Sequence, residues 1–246
     1  MSIFDQKVIK YEMKPLSSLE KVFPDETPVY RMECQMLSGL WGETVSFQVA
    51  YTGDFVMRER LDVRVVSELA EHVHVRTVEM VPVGRATNGI VDDNYLKTTS
   101  GLYPDLLKDL KDGKVLVYSR QWRSLWVDVD ITNEIPAGEY EIELQLIKEG
   151  EVVCSAKQKV TVIGTELPKL DIMHTEWMHA DCLADYYHVE VFSEEHWKLL
   201  GNYFQEYVKR DCNMMLTPLF TSPLDTAIGL ERTTCQLIDV EVKDGE

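Results

Sequence analysis

The chain has 246 residues, of which 45% are apolar and 27% are charged, a composition typical of a globular protein with one large domain or two ordinary ones. Its formal net charge is −17, with 16 acidic and 6 basic side chains in residues 164–246 alone. The chain has no Lys/Arg cluster, and because binding to a polyanion needs a basic surface, these features exclude nucleic acid as a partner.

The first fourteen residues mix acidic and basic side chains where a secretory signal needs a continuous apolar stretch, and no later segment approaches the roughly 18 apolar residues of a membrane span. We therefore expect a cytoplasmic protein with no membrane partner. The chain contains five cysteines. They are widely spaced and form no CxxC pair, which predicts reduced thiols, with no structural zinc site.

Alternating apolar residues dominate from residue 6 to about residue 163. The pattern is clearest in four runs, at 45–51, 61–65, 125–131 and 140–146. A period of two predicts strands with one face on a core and the other in water. Glu149-Gly150 joins two runs closely enough to predict a hairpin. We therefore predict that residues 1–163 form a β-sandwich of immunoglobulin-like character.

Two places in this half depart from simple alternation. Between Val73 and Val83 the apolar residues change phase, which indicates a bulge. The spacing from Tyr103 to Leu110 predicts a short helical turn. His72 and His74 share a face at the start of a strand, but a metal needs more ligands than they supply, so a solvated face is the simpler interpretation.

Residues 164–169, Gly-Thr-Glu-Leu-Pro-Lys, are polar and predict the domain boundary, with a second domain at 164–246. This part predicts a βαβ unit, in which a short buried strand begins at Leu170 and a second one spans 214–216. Residues past the carboxyl ends of parallel strands gather on one side of a sheet. The loops at 174–185 and 217–225 are therefore expected to face one pocket.

The helix between these strands is predicted to begin after Ser193, a good N-cap residue, although His196 stands where a capping box has Glu or Gln. A stripe of apolar residues at helical spacing is predicted to be buried in the core rather than to hold a cofactor. The stripe consists of Trp197, Leu200, Phe204, Tyr207 and Val208. Residues 236–242 alternate again and predict the first arm of a hairpin.

A βαβ unit that follows a β-sandwich is most often the beginning of a (β/α)8 barrel or of a doubly wound sheet. Either fold needs many more units, and a barrel takes roughly 250 residues. Only 83 residues follow Ile163, which is enough for one or two βα units. We therefore expect an incomplete barrel and the front of a longer protein. Because its strand edges would be unpaired, we expect residues 170–242 either to pack against the sandwich or to pair with a second copy, which would give a homo-oligomer.

Three stretches of the second domain resemble glycoside hydrolase family 123, a bacterial family with an amino-terminal β-sandwich. They are His174–Cys182 (HTEWMHADC), Ser193–Trp197 (SEEHW) and Asn213–Thr226 (NMMLTPLFTSPLDT). Two stretches of the first domain are similar to the family as well, at 101–107 and 121–127. The resemblance extends over essentially the whole chain.

The resemblance implies a sandwich followed by a (β/α)8 barrel that acts on glycans ending in an N-acetylhexosamine. It implies a retaining, substrate-assisted reaction in which the substrate's acetamido oxygen attacks the anomeric carbon, unlike the usual scheme with an enzyme nucleophile. The family's acid pair is an Asp-Glu dipeptide on a later strand. No such dipeptide follows residue 164, and Asp25-Glu26 lies in the sandwich. We expect this chain to bind substrate without the catalytic acid and to need no cofactor.

Six residues are the candidates for substrate binding, namely His174, Glu176, Trp177, His179, Asp181 and Asp225. For Glu176 and Asp181 the alternatives are sugar contact, acid-base chemistry and ordering of the loop. The indole of Trp177 suits stacking on a sugar ring, and a core anchor is the alternative. The spacing of the histidines matches no familiar zinc signature, so no metal site is predicted.

Two classes of function remain open. One is an enzyme fragment, the front of a glycoside hydrolase of N-acetyl-β-hexosaminidase or galactosaminidase type. The other is a module without catalysis that binds a glycan or assembles with another subunit.

Overall fold

The computed structural model describes residues 10–28, 36–54, 58–85, 87, 89, 95–169 and 171–216, apart from the side chain of Asp181. These residues are mainly in β-strands. Contacts within the chain define two compact units, Met1–Pro168 and Lys169–Glu246. The last long strand of the first unit continues past Ile163 to Glu166.

The strands described in the first unit are β1 (Lys10–Ser17), β2 (Leu37–Trp41), β3 (Thr44–Asp54), β4 (Glu59–Val66), β5 (Val73–Val83), β6 (Gly101–Asp109), β7 (Lys114–Val117), β8 (Arg123–Asp130), β9 (Gly138–Lys148) and β10 (Glu151–Glu166). A 3₁₀ turn at Ala70–His72 precedes β5. The strands form two five-stranded sheets, with the orders β1-β3-β8-β5-β6 and β2-β10-β9-β4-β7. Every pairing between neighbours is antiparallel except β2 with β10, which is parallel.

The two sheets share one hydrophobic core, as the period of two in the sequence predicts. Phe47 and Leu125 of the first sheet belong to the same buried cluster as Leu61 and Ile142 of the second sheet. All four are at most 1% exposed, so each contributes close to the full burial free energy of its side chain, about 1.5–3 kcal/mol. The immunoglobulin-like character of this arrangement stays a prediction.

The outer face of the first sheet is partly covered by the chain that follows β1. Gln48 lies on this face and is 3% exposed. Its Nε2 donates to the carbonyl oxygens of Ser17, Ser18 and Glu20, at 3.2, 3.1 and 2.7 Å. Its Oε1 accepts a hydrogen bond of 2.9 Å from Ser124 Oγ. One amide side chain therefore ties a loop to the sheet, which the alternation alone did not predict.

Two predicted local features of this unit are present. Glu149 and Gly150 have φ angles of 52° and 88° and join β9 to β10 in the expected hairpin, since tight hairpin turns favour positive φ. The predicted bulge is present as a shift in the register between β5 and β6 at Glu79/Met80.

The prediction of a helical turn at Tyr103–Leu110 is wrong, because these residues lie in strand β6 and extend just past its end. Their spacing fits a helix locally, but pairing with β5 outweighs this weak preference. Pro104 is tolerated because β6 is at the edge of its sheet and Met80 pairs with it at the register shift.

The second unit contains β11 (Thr175–Trp177), α1 (Ala180–Tyr187), α2 (Glu194–Lys209) and β12 (Met214–Leu216). The two strands are parallel, with Thr175 opposite Met214 and Trp177 opposite Leu216. The predicted βαβ unit is therefore confirmed, but its strands are largely exposed and not buried as predicted. The prediction of a strand from Leu170 and a loop at 174–185 is wrong, because the strand lies later and α1 occupies much of the expected loop.

Helix α2 begins as predicted, since Ser193 Oγ accepts the backbone N–H of His196 at 3.2 Å. The predicted buried stripe is only partly correct. His196 and Leu200 are buried, and Tyr203 and Tyr207 pack against the same cluster. Trp197 and Val208 are instead 44% and 69% exposed. The buried face is therefore rotated relative to the predicted one, and an apolar stripe of α2 is left on the surface.

Candidate functional site

The candidate residues that the structure describes lie in or next to β11, which pairs with β12. The sequence predicted that five of the six candidates lie in one loop past the carboxyl end of the first strand, and that Asp225 lies in a second loop facing the same pocket. The structure distributes them along the strand instead: His174 precedes β11, Glu176 and Trp177 lie within it, and His179 and the backbone of Asp181 follow it. Asp225 and the predicted loop at 217–225 lie outside the described residues, as does the predicted hairpin arm at 236–242.

At the amino end of the pair, Asn213 holds the chain that enters β11. Its Oδ1 accepts the backbone N–H of His174 at 3.0 Å, and its Nδ2 donates to the carbonyl oxygen of Ile172 at 2.9 Å. The backbone N–H groups of Asn213 and Met214 both donate to the His174 carbonyl oxygen at 3.1 Å. The sequence alone did not indicate this role of Asn213, although the residue opens one of the stretches that carry the family resemblance.

His174 is therefore separated from the residues at the carboxyl end by the length of the strand, roughly 10 Å for three residues. Its Nε2 lies 3.4 Å from Glu176 Oε1, and both side chains are about half exposed, at 45% and 53%. Positions two apart in a strand share a face. His174 and Glu176 thus form a pair with each other, away from His179.

Because side chains alternate along a strand, Glu176 and Trp177 lie on opposite sides of the strand pair. Glu176 is opposite Met215, which packs against the cluster of α1 and α2, so Glu176 lies on the helix-facing side of the strand pair. Trp177 and its partner Leu216 lie on the other side and are 64% and 42% exposed. The indole of Trp177 is therefore a surface platform at the last residue of the strand and does not act as a core anchor.

His179 lies next to Trp177 on the same side. Met178 is buried in the helix cluster, and its N–H continues the ladder to the Leu216 carbonyl oxygen at 2.8 Å. The backbone remains extended at His179, with φ −107° and ψ 104°, so alternation brings His179 back to the side of Trp177. His179 Nδ1 is buried and has no hydrogen-bond partner among the residues that the structure describes.

The carboxyl end is held in place by the packing of α1 on α2. Met178, Ala180, Leu183 and Leu200 form its buried cluster. At the far end of α1, the hydroxyl groups of Tyr187 and Tyr203 are 3.2 Å apart, and this hydrogen bond raises the pKa of Tyr203. Tyr186 is 75% exposed and meets the Tyr187 ring edge to face at 5.0 Å.

This arrangement suits binding more directly than chemistry. An exposed indole offers a flat apolar face to a sugar ring, and a half-buried imidazole lies beside it. Within the described ranges, no three His, Cys, Asp or Glu side chains are grouped to hold a metal ion. None of the helices described there is long and apolar enough to cross a membrane.

The second unit matches a known family. Residues 177–246 match the profile of the family described as "Glycoside hydrolase 123, catalytic domain", and the match begins at Trp177. A search of the curated proteins finds no significant match.

Among solved structures, the chain is similar to a family 123 glycoside hydrolase from Clostridium perfringens, studied for glycolipid glycan hydrolysis, with a TM-score of 0.61 and 13% sequence identity. The likeness covers 84% of this chain and 37% of that protein. A β-glucosidase from Listeria innocua gives a TM-score of 0.30 at 10% identity over 65% of this chain and 17% of the other, too low to indicate a shared fold.

Proposed function

We propose that this chain, which is a glycoside hydrolase family 123-like protein, supplies the amino-terminal β-sandwich and the first βα units of a (β/α)8 glycoside hydrolase acting on glycans that end in N-acetylhexosamine. The observation that carries the proposal is the match of residues 177–246 to the family's catalytic domain, which starts at the exposed Trp177 at the carboxyl end of β11. In barrel enzymes this end of the strands holds the substrate.

In this proposal Trp177 stacks on the terminal sugar, and the half-buried imidazole of His179 beside it hydrogen-bonds a hydroxyl or the acetamido group. Asp181 and Asp225 are further candidates for sugar contact. His174 and Glu176 instead order the entry to β11, since they pair with each other. The catalytic step in the family is substrate-assisted and needs an Asp-Glu pair, which residues 164–246 do not contain. The chain therefore binds the glycan without hydrolysing it.

The test combines a binding and an activity assay on the purified chain. N-acetylgalactosamine is titrated while tryptophan fluorescence is recorded, and a chromogenic N-acetyl-β-galactosaminide reports hydrolysis. Trp177→Ala is expected to weaken binding roughly tenfold, because stacking on an aromatic face contributes about 1–2 kcal/mol. Trp197→Ala is the matched control, since Trp197 is also exposed, at 44%. It is expected to bind like the wild type.

Hydrolysis by the chain itself would overturn the assignment of binding without catalysis. Equal binding by the wild type and Trp177→Ala would overturn the sugar contact. A longer protein that carries the Asp-Glu pair is expected to hydrolyse the chromogenic substrate, and Trp177→Ala in that protein is expected to lower kcat/KM.

A second candidate function, assembly with another copy, is favoured by the exposed apolar surface of the second unit. Ile172, Met173 and Trp177 are 62%, 76% and 64% exposed. Within the described chain β11 and β12 pair only with each other, so each leaves a strand edge available for pairing. We expect sedimentation to show a concentration-dependent dimer that Val208→Glu or Met173→Glu weakens. A monomer at all concentrations would exclude this candidate.

A further inference from the structure

At one end of the first sheet, the face directed towards the core carries polar side chains. In β8, Leu125 and Val127 face the core and are fully buried, so Arg123 occupies the next inward position along the strand. Tyr51 of β3 is directly opposite Arg123 in the register. Positions that alternation assigns to the hydrophobic core thus hold a guanidinium group and a phenol.

Strand β5 adds two more polar residues to this end. Thr77 pairs with Leu125 in the register and so shares its inward face, and Glu79 follows two residues later. Thr77 Oγ1 donates to Glu79 Oε1 at 2.8 Å. The shift in register between β5 and β6 lies at Glu79/Met80. Bulges of this kind often lie beside binding sites, because they redirect side chains.

These side chains surround a cavity of about 310 Å³ that also includes residues of β6 and of β7 in the second sheet. The polar part of its wall consists of Tyr51, Thr77, Glu79, Tyr118 and Arg123. The apolar part includes Met80 and Val115. The volume is at the lower end of the range of about 300–1,000 Å³ found for small-molecule sites.

Thr77 and Glu79 pair with each other, but Arg123 and Tyr51 of this wall are poorly satisfied. Arg123 Nε is buried without a hydrogen-bond partner in the described part of the chain, and Nη2 reaches Gln121 Oε1 only at 3.4 Å. The guanidinium carbon lies 4.9 Å from the centre of the Tyr118 ring. The Tyr51 hydroxyl group makes a long hydrogen bond of 3.4 Å to the Leu116 carbonyl oxygen. Burial raises the pKa of Tyr51, so its hydroxyl group stays protonated.

A buried donor without an acceptor is costly, so an unpartnered group of this kind calls for an explanation. Here a cation, a carboxylate and a phenol face one cavity from neighbouring strands. A ligand that both donates and accepts hydrogen bonds would satisfy all three. An anion is disfavoured, because the chain carries a net charge of −17 and Glu79 lies in the same wall as Arg123.

We propose that this cavity between the sheets binds a single neutral pyranose ring of a glycan, in addition to the sugar contact at Trp177. A pyranose has hydroxyl groups for Arg123, Glu79 and Tyr51 and an apolar ring face for Met80 and Val115. The cavity volume accommodates one ring. The choice of a sugar as the ligand rests on the proposed function, whereas the cavity and its unsatisfied donor do not.

The test uses the full chain with Trp177→Ala as the background, so that any remaining binding reports the cavity. N-acetylgalactosamine and galactose are titrated by isothermal calorimetry, and saturation-transfer NMR identifies the bound sugar. Adding Arg123→Gln or Glu79→Gln is expected to weaken binding roughly tenfold or more, because each removes a charge-assisted hydrogen bond. Arg64→Gln is the matched control, since Arg64 is an exposed residue that pairs with Gln145 on the second sheet.

Absence of sugar binding in the Trp177→Ala background would overturn the proposal, and so would equal binding by the cavity variants and the Arg64→Gln control. If Arg123→Gln does not fold, Glu79→Gln decides alone, because Glu79 is exposed. Loss of all binding on Trp177→Ala would leave the proposed function standing without the cavity. Binding that depends only on Arg123 and Glu79 would support the cavity and remove the sugar contact at Trp177.

Discussion

His196 links the starts of the two helices, because its Nε2 lies 2.9 Å from the Ala180 carbonyl oxygen. Its Nδ1 accepts the backbone N–H of Phe192 at 3.1 Å. A ring nitrogen that accepts a hydrogen bond carries no proton, so the other nitrogen is the donor to Ala180. The geometry therefore fixes the neutral tautomer protonated at Nε2, in a side chain that is 0% exposed.

Replacing His196 should destabilise the second unit. His196→Ala removes both hydrogen bonds and leaves a cavity, which we expect to lower the free energy of unfolding by about 2–4 kcal/mol. Urea unfolding with hydrogen exchange of the α1 and α2 amides would measure this loss. Lys198 is exposed and lies two residues after His196 in α2. Lys198→Ala should therefore change the free energy of unfolding by less than about 0.5 kcal/mol. Similar losses for the two variants would contradict the linking role of His196.

Asn213 should control the order of the chain that enters β11. Asn213→Ala removes two side-chain hydrogen bonds, which we expect to cost about 1–3 kcal/mol. Asn213→Asp keeps the acceptor for the His174 N–H and loses the donor to Ile172, so its loss should be smaller. Limited proteolysis at 171–174 is the measurement, with Lys209→Ala as the control. Equal cleavage of the wild type and Asn213→Ala would show that the side chain does not order this segment.

Gln48 should be important for the first unit. Gln48→Leu keeps the size of the side chain but leaves three carbonyl oxygens without their donor, and we expect a loss of about 2–4 kcal/mol. Thermal unfolding of the variant reports this loss. Gln121→Leu provides the control, because Gln121 is exposed. An unchanged melting temperature for Gln48→Leu would mean that water replaces the lost donor.

Glu59 should make the first unit sensitive to acid. Partial burial raises the pKa of Glu59, but hydrogen bonds from Lys148 Nζ, at 2.9 Å, and from the Tyr11 hydroxyl group outweigh it, so the pKa is lowered overall. The stabilisation is therefore present above the unfolded-state pKa of about 4.3 and is lost as the pH falls through the lower folded-state value.

The size of this acid effect should be below about 1 kcal/mol, because both side chains are partly exposed, at 33% for Lys148 and 23% for Glu59. Urea unfolding of the wild type and Lys148→Met between pH 7 and about pH 3 measures it. Lys148→Met should lose less stability than the wild type on acidification. Parallel pH profiles for the two proteins would rule out this pair as a source of acid sensitivity.

The first unit was largely predictable, because long strands repeat their pattern often enough to be recognised. Residues 125–131 alternate through several apolar positions, and the corresponding side chains of β8 are buried. The burial of Gln48 and its role in holding the loop were not predictable. Its side chain faces away from the core and is covered by a loop whose sequence shows no periodicity. β6 was misassigned because local spacing carries no information about the β5 partner.

The candidate site was predicted less well, since β11 has only three residues and shows almost no period. α1 was missed because no side chain caps its amino end, and its carboxyl end is at His188, a non-glycine residue with a positive φ of 55°. The choice of Trp177 and His179 as candidates stays a prediction, and the side each one faces depends on where the strand begins, which the sequence did not show. Asn213 acts through contacts with residues nearly forty positions earlier, which single-sequence patterns do not show.

Strand β10 has 16 residues and lies between a parallel neighbour and an antiparallel one, β2 and β9. Its last residue, Glu166, lies two positions before the division between the units. Tension applied to the chain beyond Pro168 would act along the axis of this strand. It would therefore place the hydrogen bonds between β10 and its neighbours under shear. Bonds perpendicular to a strand must then break together instead of one at a time. A pull from the carboxyl side would therefore load the pairing of β10 with β2 and β9 first.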